Sequence, residues 1–361
     1  MKNNQITAFQ FGILVFLFSV GTSILITPSL LAKGAQQSAW VPALLGISGG
    51  FALVLLYNLI GSKMGSLTFF EYCEKVLGRW LGRCIVLLYT FFAFITASIL
   101  LWIQGNFLMT QIYTETPAAF LQGLFAITVL IAINFGIQAV ARSSEIFIPW
   151  VLLLLSFMIF TLIPQYEGKK LLPLLDFNWT PTISASLSYI SVVSSPLVLL
   201  LTIFPNVKDL KGAKRGMWLG NLLGGIVLLT ISLMTVSILG ADLTQNQTFP
   251  TYIVAKKINI GAFLTRIEVV LAFIWIITIF YKTHLYYYAA IEGFSHAFKI
   301  KNIKSLSTPL TFLLGALSIN IYPNTPYMME WNVKTWIPFS LTFGLAFPLL
   351  LLVVGLFRKQ K

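Results

Sequence analysis

Charge is what this sequence has least of. Only 10% of its 361 residues are Asp, Glu, Lys or Arg, against about 25% in an average soluble domain, and 57% are hydrophobic. Apolar runs of membrane-spanning length recur along the whole chain, so it reads as a polytopic integral membrane protein. Cysteine is nearly absent too: Cys73 and Cys84 stand alone without a nearby His pair, which excludes a disulfide framework and a Cys-based metal site. His284 and His296 are the two histidines, and neither has the carboxylate or Cys spacing of a metal ligand; aromatic packing or an interfacial position suits them better. No cofactor is implied. No span combines a nucleophile, a base and oxyanion donors, so catalysis has no support.

Windows of about 20 apolar residues place ten spans, at 8–32, 40–62, 83–111, 118–138, 143–164, 183–207, 216–240, 261–288, 306–322 and 335–357. The first follows the mostly polar stretch Met1 to Thr7 and lacks a small-residue cleavage site, which reads as a retained helix. With the N-terminus inside, the outer segments hold only Lys33, Lys169, Lys170, Lys256, Lys257 and Lys334; Arg266 and Lys282 lie within the eighth span, and all other Lys and Arg fall on the inner side. Basic residues are retained inside, so both termini are expected to be cytoplasmic. The formal charge of +13 sits at span ends rather than on one face of a domain, which suits topology and anionic lipid, not nucleic acid. Trp40, Trp80, Trp179, Trp218, Trp331 and Trp336 lie near span ends, as an interfacial belt does.

Weak internal symmetry is present. Gly49-Gly50 in the second span is echoed by Gly224-Gly225 in the seventh, and Pro28 followed by Lys33-Gly34 by Pro205 followed by Lys211-Gly212. A duplicated unit with an odd number of spans enters the membrane from opposite sides in its two copies. The expected architecture is all-α, a 5+5 inverted repeat within a single transmembrane domain, with repeats at about 8–164 and 183–357.

The first span carries Gly21, Thr22 and Ser23 at its middle, and the sixth carries Ser194, Ser195 and Pro196. Glycine gives up helix propensity and proline lacks an N–H, so each helix can open there. Freed backbone groups survive in a bilayer only when buried in protein or lining a polar cavity. The N–H groups near Thr22, Ser23 and Ile24 suit a carboxylate, and the carbonyls near Val193 and Ser194 suit an ammonium group, as in an amino acid. The alternative is ordinary helix packing, with hydroxyls bonded back to the preceding turn. Ala97, on a face with Ala93 and Leu101 in the third span, and Thr278 in the eighth are the further wall candidates, by span position. Glu145 and Lys282 are ionisable residues inside spans and therefore functional candidates. They form either a pair in the place of a coupling ion or a structural arrangement in which Glu145 meets Arg142 and Lys282 snorkels.

The stretch Ser66 to Arg83, SLTFFEYCEKVLGRWLGR, together with ARSSEIFIP from Ala141 to Pro149 and Val20-Gly21-Thr22, resembles the spore germination permease family, the B subunits of nutrient germinant receptors. The resemblance runs over essentially the whole chain. It implies an amino-acid permease-like fold of the amino acid–polyamine–organocation superfamily (the LeuT arrangement), a location in the spore inner membrane, partner A and C subunits, and an amino-acid germinant between the first, third, sixth and eighth spans. Only Gly21 transfers by motif. Ser23 stands where many permeases have a second glycine. Read from its residues alone, EYCEKVLGRWLGR, Glu71 to Arg83, is an amphipathic cytoplasmic helix with Phe70, Val76, Leu77, Trp80 and Leu81 on its apolar face, either gating the inner exit or resting on the membrane. Three functions remain at this stage: a nutrient-sensing receptor subunit, a proton-coupled amino-acid transporter, and a channel or scaffold.

Overall fold

The computed structural model describes residues 5–257, 267–300 and 302–358. The expected start of the eighth span with Arg266, and Lys2, Lys301, Lys359 and Lys361, lie outside the described residues. Among the described residues, eight helices are long and apolar enough to cross a membrane, or up to ten when each sharply bent pair is one span.

The first span is two helices, α1 (Ala8–Val20) and α2 (Ser23–Ala35), bent by 49° at Gly21 and Thr22. A capping box between Thr7 and Gln10 starts α1, satisfying two backbone donors that a helix start otherwise leaves open. The second span is α3 (Trp40–Met64), the third α5 (Arg79–Gln111), the fourth α6 (Ala118–Phe135) and the fifth α7 (Ile137–Leu162). Gly136, at φ 82°, ends α6 three residues before the expected limit of 138, because a left-handed residue cannot continue the helix. The fifth span consequently starts at Ile137, and Glu145 sits well inside α7.

Between α3 and α5 lies α4 (Phe69–Leu77), opened by a Thr68–Glu71 capping box. It buries Phe69, Phe70, Tyr72, Cys73 and Val76. The expected apolar face is corrected here: Gly78, at φ 87°, stops the helix, so Trp80 and Leu81 belong to α5 and are 85% and 67% exposed. Glu74 of α4 lies 3.6 Å from Arg83 and 3.3 Å from His296. Arg358 Nη1 donates to the Val76 carbonyl at 2.6 Å, tying the end of the last span to α4.

The sixth span is also broken. α8 (Trp179–Val193) gives way at Ser194 to a 3₁₀ run, Ser195–Thr202, longer than the three or four residues usual for that geometry. The seventh span is α9 (Leu210–Leu239), followed by two short helices, α10 (Ala241–Asn246) and α11 (Pro250–Lys257). α12 (Glu268–Phe298) is the eighth span and α13 (Ile303–Asn320) the ninth. The connection after α13 carries no span in the sequence. It folds as α14 (Thr325–Lys334), turned by 101° from α13. The tenth span is α15 (Trp336–Leu341), a π-helical turn at Thr342–Ala346, and α16 (Phe347–Phe357).

Glycines of the second and seventh spans, the helices that carry the repeated pairs, have reciprocal jobs. On α9, a Cβ added to Gly220 would stand 2.6 Å from the Gly12 carbonyl oxygen of α1, and one on Gly216 would stand 3.1 Å from the Ala8 carbonyl oxygen. On α3, a Cβ at Gly46 would run into the Tyr189 ring of α8 and one at Gly50 into the Ser194 hydroxyl. The seventh span thus clasps the broken first, and the second span clasps the broken sixth, through small-residue seams of the kind that let membrane helices approach closely. Both broken spans are correspondingly enclosed, with residues 13–32 of the first and 191–204 of the sixth all buried, whereas most of the fifth and tenth is not.

Gly220→Val is expected to destabilise the protein by ~1–3 kcal/mol through overpacking. Gly123→Val, where an added Cβ meets nothing within 4 Å, is the control. Thermal unfolding of the detergent-solubilised chain checks both, and equal midpoints would remove the α1–α9 seam from the account.

Candidate functional site

Gly21 is where the first span opens, with φ 10° and ψ −122°. A Cβ built there would lie 2.5 Å from Cδ of Lys282 and 3.1 Å from its Cβ. The notch left by the missing side chain is filled by the stem of a lysine from α12. Lys282 is 2% exposed. Its Nζ donates to Ser23 Oγ at 3.3 Å and to the Val192 carbonyl at 3.1 Å, and lies 5.4 Å from the centre of the Phe18 ring. Ser23 belongs to the broken first span and Val192 to the broken sixth, so one amine spans both interruptions.

Beside Lys282 is a cavity of about 30 Å³, room for a water or two. Thr22 and Ile26 line it from the first span, Val192 from the sixth, and Lys282 and Tyr286 from the eighth. The third span contributes Thr96, Ile99, Leu100 and Ile103, and Asn332 and Trp336 close the far side. The Tyr286 ring stacks on Phe18 at 5.1 Å, and its buried hydroxyl has no hydrogen-bond partner among the described residues. Ile26 and Asn332 also line a second cavity of about 20 Å³, where Lys33, Thr248 and Met329 meet. These two residues are shared by both cavities, between Lys33 near the end of α2 and Lys282.

The other sequence-derived candidates divide around this cavity. The Ile24 carbonyl accepts the Thr251 hydroxyl of α11 at 2.7 Å. Ala97 and Val193 are buried beside lining residues, the cavity being met by Thr96 and Val192 instead. Ser194 Oγ donates to Asn221 Oδ1 of α9 at 3.0 Å, and Ser195 Oγ to the Ser340 carbonyl of α15 at 2.8 Å. Both hydroxyls therefore bind the sixth span to its neighbours. Thr278 Oγ1 donates to the Trp275 carbonyl within α12. Glu145 accepts from Gln10 Nε2 at 3.0 Å, and among the described residues no ion pair joins it to Lys282, whose partners are the Ser23 hydroxyl and the Val192 carbonyl.

Sequence reading missed Thr96, Tyr286 and Asn332, and placed Trp336 in the interfacial belt. Trp336 is 7% exposed and its Nε1 donates to the Ser191 carbonyl at 3.2 Å. Its correct position is beside the sixth-span break, because α14 turns aside and lets α15 begin deep in the protein. His284 is buried against Phe280 and Tyr288, within the aromatic packing expected for it.

Residues 5–326 match the family described as spore germination protein. The chain belongs to the spore germination permease family. Among curated relatives it is 31% identical to spore germination protein KB of Bacillus subtilis (strain 168), over 100% of this chain and 97% of that protein. It is 22% identical to spore germination protein YndE of the same organism, over 99% of this chain and 98% of that one. Among solved structures it resembles Mhp1, a nucleobase-cation-symport transporter, at a TM-score of 0.70 over 93% of this chain and 76% of that one, with 12% identity. It resembles MhsT, solved in complex with L-phenylalanine, at a TM-score of 0.69 over 98% of both chains, with 15% identity. This germination permease therefore has the LeuT fold with broken first and sixth helices, and is a non-enzymatic membrane protein.

The Gly21–Lys282 contact predicts non-additivity. Gly21→Ala and Lys282→Ala are each expected to lower thermal stability, and together by less than their sum, with a coupling of ~0.5–3 kcal/mol. A double-mutant cycle that closes additively would mean that the lysine stem does not occupy the notch.

Proposed function

We propose that this germination permease is the nutrient-sensing subunit of a spore germinant receptor, and that an amino acid binds where the first and sixth spans are interrupted. The observation that carries the reading is that both interruptions border one small cavity, bridged by Lys282. A cavity of about 30 Å³ is too small for an amino acid, so binding requires the surrounding helices to move apart. A ligand that binds the opened arrangement better than the closed one shifts the population between them, which is what a sensor must pass on to partner subunits. On this reading the partners are the A and C subunits of the receptor, the membrane is the spore inner membrane, and both termini face the cytoplasm.

A proton-coupled amino-acid transporter is the second reading. It is favoured by the way Lys282 joins the two broken spans as a bound cation would. Alternating access would let the same site empty to the other side.

Uptake of labelled amino acids by the protein in sealed liposomes, under an imposed proton gradient and counted per mole of protein, separates the two. Retention that saturates near one ligand per protein is expected of the sensor. Accumulation far beyond that level, collapsing with an ionophore, would establish a transporter instead.

A further inference from the structure

The contacts of Lys282 bear on what kind of molecule the cavity takes. In a site built from two helix breaks, a carbonyl of the sixth span is the natural partner for a ligand's ammonium group. Here the Val192 carbonyl already accepts from Lys282 Nζ. The protein's own amine thus takes a carbonyl of the last turn before the sixth-span break.

What is left is rich in donors. A lysine ammonium has three N–H groups, of which Ser23 and Val192 take two. The Tyr286 hydroxyl is fully buried, lines the cavity and has no partner among the described residues. Thr22 and Ser23 begin α2, whose first N–H groups lack helical acceptors and carry the positive end of the helix dipole. None of the described residues lining either cavity is acidic, and Lys33 stands at the outer one. A buried cation without a counter-charge is costly, and an incoming carboxylate removes that cost. The remaining wall, Ile26, Ile99, Leu100 and Ile103, offers only apolar contact to the rest of the ligand.

We propose that the cavity at the two helix breaks is a carboxylate site: Lys282, Tyr286 and the start of α2 hold the ligand's carboxylate, and its ammonium group is dispensable. The proposal rests on reading this cavity as the ligand site. It extends the ligand class from amino acids to simple monocarboxylates of the same shape.

The test uses the full-length protein in detergent, with matched trios of probes: L-valine, 3-methylbutanoate and 2-methylpropylamine, and the corresponding trios for L-alanine and L-phenylalanine. Binding is read as the concentration-dependent shift of the thermal unfolding midpoint. The expected result is that, in at least one trio, amino acid and desamino acid bind within about threefold of each other, while the amine gives no shift. Lys282→Met is expected to abolish the response to both carboxylates. Tyr286→Phe keeps the ring and removes only the hydroxyl, and is expected to weaken both by about tenfold, the worth of a hydrogen bond to a charged group. If amino acids bind and desamino acids do not, the cavity remains the amino-acid site and the carboxylate proposal falls. If the amine binds, or Tyr286→Phe leaves carboxylate binding unchanged, it also falls. If no trio produces a shift, the proposal and the reading it rests on fall together.

Discussion

Everything in this fold follows from the cost of interrupting a helix where there is no water. A backbone N–H or C=O freed inside a bilayer must find a protein partner. The chain meets this requirement twice, by placing each interrupted span against a glycine-lined helix from the opposite half. α9 lies against α1 along Gly216 and Gly220, and α3 lies against α8 along Gly46 and Gly50. The glycines permit the close approach, and the close approach encloses the breaks. Without it, Gly21 and Ser194 would be ordinary weak points in membrane helices rather than breaks that border one small cavity.

The enclosed polarity is then settled by one side chain. Lys282 passes through the gap at Gly21 and reaches a hydroxyl on one broken span and a carbonyl on the other. A glycine in the first span, a lysine in the eighth and a carbonyl in the sixth form one unit, although they are remote in sequence. Membership of the spore germination permease family gives this unit a biological setting, and the likeness to Mhp1 and MhsT gives it an architectural one.

Much of this was legible in the sequence, for identifiable reasons. Span positions follow from hydropathy, which depends on composition alone. The breaks at Gly21 and Ser194 follow from residues that cannot sustain a helix. The side-chain directions around the sixth-span break did not follow, because a 3₁₀ run turns about 120° per residue instead of 100°, so helical phasing fails across Ser195–Thr202. Ser194 and Ser195 therefore point to α9 and α15. A phase error of a single residue separates Ala97 from Thr96 on α5. α14 was hidden by its composition: TPYMMEWNVK is too polar to register as a span, yet it brings Asn332 to the cavity. Tyr286 was hidden by its neighbours, since one tyrosine within HLYYYAA carries no mark of facing a cavity.

The π-helical turn of the tenth span has a consequence that comes from counting protons. Tyr57 Oη on α3 lies 2.8 Å from the Ser195 carbonyl and 2.6 Å from the Gly344 carbonyl within that turn. A phenol has a single hydrogen to give, so the two carbonyls compete for it: one belongs to the broken sixth span, the other to the turn. Whatever draws the proton toward one acceptor releases the other. The sixth and tenth spans are thereby joined by a shared shortage, and a rearrangement of either is felt at once by its neighbour.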